Sequence, residues 1–280
     1  MERLLIIGCG DVATRALPAL TRDYEVAALV RDVSIGAPPG VRVIRGDLDR
    51  PESLAALHAD VVLHAAPPAN HGSIDARTRN LLAEMVARHI VYLSTSGVYG
   101  DCGGQLVDES RPPNPSTERA RRRLDAEQAL AQWTSAHGAT LTVLRVPGIY
   151  AHDRLPLARI SSRAPVLRAE DDVYTNHIHA DDLAHIAVTA LARRDIGGIF
   201  NVCDDTHTKA GDWLDLVADR AGLPRPPRMA RDEAARLLSP VQMSFLGESR
   251  RLSNRRMKEE LGVSLRYPTV HDGVPHAALT

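Results

Sequence analysis

The chain opens with a short apolar run that ends on two closely spaced glycines. Leu4–Ile7 is followed at once by residues 8–13, Gly-Cys-Gly-Asp-Val-Ala, and then by a helical pattern. Gly8 permits a tight turn, Gly10 lets another group approach the backbone, and Ala13 is small enough for a helix to pack closely on a strand. The pattern therefore predicts a strand, a tight turn and a helix.

Further apolar runs alternate with helical patterns through the first two hundred residues. The runs are continuous, which is typical of parallel strands buried on both faces. They are Leu4–Ile7, Val26–Val30, Val41–Ile44, Val61–Leu63, Ile90–Leu93, Leu141–Val146 and Ile199–Val202. The helical patterns are Asp11–Leu20, Ser53–Leu57, Asp75–Ala87, Pro115–Ala136 and Asp181–Ala192. This alternation predicts an α/β fold with a doubly wound parallel sheet of the Rossmann type and about seven strands.

Local signals place the ends of two helices. Asn114 is a suitable N-cap, Pro115 suits a first turn, and Gly138 is a suitable C-terminal stop. Pro18 should kink or end the first helix, because proline lacks the N–H that the helix needs.

The alternation breaks twice, which suggests how the chain is divided. We expect residues 1–150 to form a dinucleotide-binding domain and residues 177–203 to return to its sheet. Residues 151–176 show no clear sheet pattern and are expected to form a lid insertion. Residues 204–280 carry helical patterns at Gly211–Ala221 and Asn254–Leu261 and are expected to form a small C-terminal substrate lid over the carboxyl edge of the sheet.

Composition argues against several classes of protein. The net charge is −1 and aromatic residues make up 4%, so we expect neither nucleic acid nor a membrane surface as partner. No apolar run approaches the roughly 20 residues of a membrane span. Three scattered cysteines suggest a reducing, cytoplasmic location. His177 and His179 have no evident third ligand, so no metal site is predicted.

The glycine turn is suited to a dinucleotide. The N-terminus of a helix offers unpaired N–H groups and a partial positive charge to a pyrophosphate. The pattern Gly-x-Gly-x-x-Ala between a strand and a helix is the form that such sites take. The first candidate cofactor-binding residues are therefore Gly8, Gly10, Asp11, Val12 and Ala13.

The end of the second strand bears on the choice of cofactor. Arg31 comes first, and a guanidinium suits the 2′-phosphate of NADP by its forked geometry. Asp32 follows, and a carboxylate here would instead hold the ribose 2′-hydroxyl of NAD. We expect NADP to be preferred, with NAD still open.

Five later motifs resemble one known family. They are Gly46-Asp47-Leu48, His64-Ala65-Ala66-Pro67, residues 94–101 (STSGVYGD), residues 176–184 (NHIHADDLA) and Phe200-Asn201-Val202. Together with the glycine turn they resemble the extended short-chain dehydrogenase/reductases, which include the NAD-dependent epimerase/dehydratase group acting on nucleotide sugars. The resemblance spans residues 1 to about 205 and is specific for the superfamily, without indicating a substrate.

The resemblance implies further contacts with the cofactor. It places two residues beside the adenine, three along the ribose and pyrophosphate, and two at the border of the nicotinamide. In that order these are Asp47 and Leu48; Ala65, Ala66 and Pro67; Val146 and Pro147. It also places Thr95 where the family has the serine or threonine that hydrogen-bonds the substrate oxygen, with Ser94 and Ser96 beside it.

The chain departs from the family where proton transfer takes place. The family uses a tyrosine and, four residues later, a lysine, but the resemblance places Arg119 and Arg123 at these positions. Arg119 cannot act as a base near neutral pH, because arginine stays protonated. Neither of the two lysines of the chain follows a tyrosine by four. The arginines are interpreted either as a solvated helix face or as contacts to cofactor hydroxyls or a substrate phosphate.

Two functions remain open. The first is an NAD(P)-dependent oxidoreductase, epimerase or dehydratase of a nucleotide-sugar-like or small carbonyl substrate, with non-standard catalytic residues. The second is an inactive NADP(H)-binding redox sensor or regulatory protein. The retained loop 94–101 favours the enzyme, and the missing Tyr–Lys pair favours the sensor. The resemblance also implies a homodimer through the helices at Asp75–Ala87 and Pro115–Ala136.

Overall fold

A sheet of seven parallel strands forms the centre of the protein. The computed structural model describes residues 1–33, 38–54 and 57–276. The strands are β1 (Glu2–Ile7), β2 (Tyr24–Val30), β3 (Val41–Arg45), β4 (Val61–His64), β5 (His89–Thr95), β6 (Thr140–Val146) and β7 (Gly198–Asn201). Their spatial order is β7-β6-β5-β4-β1-β2-β3. This order confirms the doubly wound sheet and each predicted strand, with shifts of one or two residues at the ends.

Helices cover both faces of this sheet and also form the structure beside it. They are α1 (Asp11–Asp23), α2 (Ala76–Glu84), α3 (Glu118–His137), α4 (Leu157–Ser161), α5 (Ala180–Ala192), α6 (Ala210–Arg220), α7 (Arg231–Leu237), α8 (Pro240–Phe245), α9 (Arg255–Glu260) and α10 (Val270–Gly273). In β1, Leu4 and Ile6 pack with α1 and α5, whereas Leu5 and Ile7 pack with α2 and α3. Both faces of the strand are buried, which explains its continuous apolar run.

The sequence predicts that Pro18 kinks or ends helix α1, and the helix does not end there. It continues to Asp23. Pro18 lies on the exposed face, where water can satisfy the carbonyl that proline leaves without a donor. The opposite face is buried at Ala16, Leu17 and Leu20, and this apolar packing maintains the helix beyond the proline.

Two other local predictions were wrong. At its described residues, the predicted helix Ser53–Leu57 is absent: Pro51–Ser53 is a single 3₁₀ turn, and Leu57–His58 pairs as a short strand with Met85–Val86. That pairing also ends α2 earlier than expected. Residues 55 and 56 lie outside the described residues.

The predicted N-cap of α3 also needs correction. Thr117 caps the helix, since its hydroxyl accepts a hydrogen bond from the N–H of Ala120 at 3.2 Å. Asn114 and Pro115 therefore precede the helix. Gly138 ends the helix with φ of 64°, as expected for a left-handed C-cap.

Part of the chain after Tyr150 packs into a second apolar cluster, separate from those of the sheet. Helices α4, α6 and α10 share an apolar cluster that includes Tyr150, Ile160, Trp213 and Val270. Short strands also occur here, including Val166–Leu167 and Tyr174–Thr175, in a segment where the sequence showed no sheet pattern. In the part of the chain that the structure describes, no helix has the length and apolarity to cross a membrane.

A buried ion pair joins α3 to the sheet. Ser94 on β5 and Arg145 on β6 are register partners, and both contact Glu127 of α3. The Arg145 side chain is 2% exposed and its Nη2 lies 2.7 Å from Glu127 Oε2. The Ser94 hydroxyl donates to Glu127 Oε1 at 2.5 Å, and the Arg145 guanidinium lies 4.7 Å from the Tyr99 ring centroid. Each charge of this buried pair is compensated by the other, so neither is well stabilised without its partner.

We therefore expect Glu127→Gln or Arg145→Met to lower the free energy of unfolding by about 3–5 kcal/mol, because either change leaves a buried charge without its partner. Glu260→Gln is the control, since it breaks the half-exposed Arg256–Glu260 pair and should cost about 0–1 kcal/mol. Urea unfolding measures all three. A Glu127→Gln protein as stable as the control would show that the buried pair contributes little.

Candidate cofactor and active site

A cleft of about 810 Å³ opens where the carboxyl ends of the strands meet. Its walls come from the segments that follow β1, β2, β3 and β4 and from the ends of β5 and β6. Most of the predicted cofactor residues line it: Gly8, Gly10, Asp11, Val12, Ala13, Arg31, Asp47, Leu48, Ala65, Ala66, Pro67 and Val146. Ser94 and Arg123 line it as well. Pro147, Thr95, Ser96 and Arg119 are not among the described residues of its lining.

The two glycines of the turn have different surroundings. Gly8 has φ of 89°, and a Cβ placed on it would lie 2.6 Å from the backbone nitrogen of Ala66. Only glycine therefore allows the turn to approach the 65–67 loop, whose Ala65 N–H donates to the carbonyl of Ile7 at 2.8 Å. A Cβ on Gly10 would meet no described atom within 4 Å. The space beside Gly10 is thus available to a ligand.

Two arginines line the cleft near the ends of β2 and β3. Arg31 is exposed and forms no ion pair with residues 1–33, 38–54 or 57–276. Arg77 was not predicted from the sequence. It donates hydrogen bonds to both carboxylate oxygens of Asp49 at 2.8 and 2.6 Å and to the carbonyl of Pro67 at 3.0 Å. Hydrogen bonds from Arg77 lower the pKa of Asp49, and the charge of Arg31 adds to this effect.

Arg123 occupies the opposite end of the cleft. Its Nη1 donates to the carbonyl of Leu93 at 2.8 Å and to the hydroxyl of Tyr92 at 3.1 Å. A longer bond of 3.4 Å reaches the carbonyl of Ala66. All these acceptors are neutral, and no carboxylate of the described chain lies within ion-pair distance of Arg123. The cleft therefore holds an uncompensated positive charge here.

That charge acts on a buried histidine behind the cleft. Burial, together with the charge of Arg123, lowers the pKa of His64 to about 3. His64 Nε2 lies 2.9 Å from the Thr78 hydroxyl, which itself donates to Asp75 at 2.7 Å. The hydroxyl must therefore accept from His64, so Nε2 carries the proton of this neutral ring. His64 serves to hold the 64–67 loop on α2.

The three hydroxyl residues at the end of β5 are placed differently. The proton of the Ser94 hydroxyl is donated to Glu127. The Thr95 hydroxyl is half-buried and accepts from the N–H of Gly97 at 3.2 Å, and no described residue accepts its proton. Ser96 is buried. Thr95 thus directly follows the lining residue Ser94, and its hydroxyl proton is available for a hydrogen bond.

Arg119 lies outside the cleft. Its guanidinium is 4.3 Å from the ring centroid of Phe245 in α8. The partner is 126 residues away in the sequence, so no local pattern could have shown this contact. Arg123 and Arg119 therefore have separate surroundings, one in the cleft and one against α8.

His177 and His179 are buried in the interior against Trp213 and Tyr267. The His177 ring lies 4.4 Å from that of Trp213, and the His179 ring lies 3.9 Å from that of Tyr267. Burial lowers the pKa of His177 to about 3. These side chains are neutral packing groups at neutral pH.

The comparisons with known proteins agree with this geometry. Residues 8–194 match the family model described as NAD(P)H-binding. The chain is 27% identical over 231 residues to GDP-6-deoxy-D-mannose reductase of Pseudomonas aeruginosa. The aligned region covers 69% of this chain and 76% of that protein.

Solved structures extend the similarity over almost the whole chain. A functionally unknown conserved protein from Silicibacter pomeroyi has a TM-score of 0.79 and 29% identity, over 98% of this chain and 96% of that one. UDP-glucose 4-epimerase from Thermus thermophilus, solved with NAD, has a TM-score of 0.75 and 22% identity, over 98% and 97% of the two chains.

The fold and the cleft are those of an epimerase/dehydratase-like short-chain dehydrogenase/reductase. The chain belongs to the NAD(P)H-binding family, because the family model covers most of its length. The cofactor itself is a nicotinamide dinucleotide. Its phosphates suit the glycine turn, since the space beside Gly10 is open and the first N–H groups of α1 begin there.

The two glycines give a matched pair of variants. We expect Gly10→Ala to stay folded, losing about 1 kcal/mol or less as a poorer N-cap, but to bind NADPH at least about tenfold more weakly because its Cβ enters the ligand space. Gly8→Ala should lose stability as well, because its Cβ meets the backbone of Ala66. Thermal unfolding and fluorescence titration with NADPH separate the two effects. Unchanged binding by Gly10→Ala would contradict this placement of the phosphates.

Proposed function

We propose that this protein is an NADP(H)-dependent enzyme that reduces or epimerises a nucleotide-sugar-like or small carbonyl substrate with non-standard catalytic residues. The observation that supports it most is the end of β5, where the cleft wall at Ser94 leads directly to the available hydroxyl proton of Thr95. The relatives that match the chain include a GDP-sugar reductase and a UDP-sugar epimerase. We therefore propose a small-molecule substrate. We propose neither nucleic acid nor a membrane as a partner.

Each residue near the cleft end has a proposed role. A nicotinamide held in the cleft would supply or accept hydride. Thr95 donates a hydrogen bond to the substrate oxygen and stabilises the charge that develops there. Arg123 holds cofactor hydroxyls and supplies fixed positive charge, as the lysine does in the family. It cannot exchange a proton, because arginine stays protonated.

Few neighbouring side chains can deliver the proton that the proposed reaction requires. The Ser94 proton is donated to Glu127, and the Tyr99 hydroxyl donates to Asn201 at 2.8 Å. Burial also raises the pKa of Tyr99. An ordered water next to Thr95 is therefore the proposed proton carrier.

A redox sensor without catalysis is the second candidate. It is favoured by the position of Arg119, which leaves the place of the family's tyrosine without an acid or base and contacts the lid instead. On this proposal, the cofactor state would be passed to a partner through α8.

We expect Arg31→Ala to weaken NADPH about 10–100-fold while changing NADH little, because the lost charged hydrogen bonds involve the 2′-phosphate. Arg45→Ala is the control: Arg45 is exposed at the end of β3, next to Val30 in register, but lies outside the cleft lining. Fluorescence titration gives both dissociation constants. Equal losses for NADPH and NADH would show that Arg31 does not select the cofactor.

The enzyme and the sensor are separated by turnover. NADPH oxidation is followed against a panel of nucleotide keto-sugars and small carbonyls. We expect Thr95→Val to lower kcat about 10²–10³-fold, as loss of one transition-state donor does, with unchanged NADPH affinity. Thr189→Val, which alters a hydroxyl bonded within α5, should be neutral. Binding without turnover on any substrate would favour the sensor, and no binding of either cofactor would exclude both.

A further inference from the structure

Two adjacent residues of the segment after Tyr150 clasp helix α1 through opposite charges. Asp153 accepts both bonds from Arg15 Nη2, at 2.7 and 2.6 Å. Arg154 Nη1 donates to Asp11 at 2.6 Å. One carboxylate and one guanidinium from each side therefore form this clasp, which lies against the glycine turn.

The two halves of the clasp are unequal. Arg15 is 16% exposed and also bonds Asp11 and Asp181, both at 2.8 Å. Arg154 is 38% exposed, lines the cleft, and pairs with Asp11 alone among the carboxylates of the described chain. Breaking the Arg154 pair would leave the Arg15 half intact.

Asp11 places a negative charge where a pyrophosphate would arrive. Burial acts to raise the pKa of Asp11, but the hydrogen bonds from Arg154 and Arg15 outweigh it and keep the pKa below its ordinary value. The carboxylate is therefore charged at neutral pH and directly follows Gly10. An anion held by this turn requires a nearby cation to offset the repulsion.

The other arginines of the cleft are less suited to this task. Arg77 is held by both oxygens of Asp49, and Arg123 lies at the far end against the carbonyl of Leu93. Arg31 follows β2 rather than the glycine turn. Arg154 is thus the cleft guanidinium that contacts the turn and is held there by one carboxylate.

We propose that Arg154 leaves Asp11 and binds the cofactor pyrophosphate, drawing the start of the lid segment onto the bound cofactor. The Asp153–Arg15 pair acts as the fixed point of this movement. A guanidinium suits the exchange, because it binds carboxylate and phosphate with the same forked geometry. The inference rests on the proposed cofactor, and it adds a residue outside the glycine motif.

The first test compares two ligands that share the 2′-phosphate. NADPH carries a pyrophosphate and adenosine 2′-monophosphate does not. We expect Arg154→Ala to weaken NADPH about 10–100-fold and to leave adenosine 2′-monophosphate unchanged, whereas Arg31→Ala weakens both. Arg168→Ala, which removes an exposed lid arginine outside the cleft, should change neither. Calorimetric titration measures binding without requiring turnover.

The second test uses Asp11→Asn, which breaks the same pair from the other side. If Arg154 only fastens the lid to α1, both variants should weaken NADPH alike. On the proposed exchange the signs are opposite, and Asp11→Asn should bind NADPH about two- to fivefold more tightly, because a repulsive and competing charge is gone.

The outcomes separate this inference from the proposed function. Wild-type affinity in Arg154→Ala, or equal losses for the two ligands, would overturn the role of Arg154 and leave the cofactor proposal standing. Failure of the wild-type protein to bind NADPH would instead overturn the proposed function. Arg154→Lys guards against misfolding, since it keeps the charge and should lose less affinity than Arg154→Ala.

Discussion

The buried pair of Glu127 and Arg145 is the constraint on which the cleft end depends. Buried Glu127 contacts strands β5 and β6 through Ser94 and Arg145, and these contacts fix both the height and the rotation of α3. Arg123 lies four residues earlier on the same helix, so its side chain lies on the same face one turn away. The position of the positive charge in the cleft therefore follows from an ion pair behind it.

The same geometry explains why Arg119 and Arg123 lie in different surroundings. Arg123 already has no carboxylate partner in the described structure, and a second guanidinium beside it in a partly desolvated cleft would be repelled. Arg119 is one turn closer to the start of α3, where solvent is accessible and the Phe245 ring offers a favourable cation–π contact. Arg119 thus contacts α8 and does not line the described part of the cleft.

The sequence was sufficient where one local rule decided the structure. Continuous apolar runs identified the seven strands, because both faces of the sheet are buried, and the glycine turn identified the cofactor cleft. The predictions of a helix end at Pro18 and of a helix at Ser53–Leu57 were wrong because tertiary packing outweighed local preference. Arg77 and Arg154 were missed because their partners, Asp49 and Asp11, are 28 and 143 residues away. Such contacts exist only after the strand ends have been brought to one edge.

The charges of Arg119 and Arg123 also bear on which chemistry the proposed enzyme can perform. Epimerisation by hydride transfer requires a group that first removes a proton from a hydroxyl and later returns it. Arg119 and Arg123 cannot do this, because neither loses its proton near neutral pH. Carbonyl reduction requires only that a donor stabilise the developing oxyanion and that one proton arrive from solvent. Thr95 and a water can meet that smaller demand, so reduction is the direction that this arrangement favours.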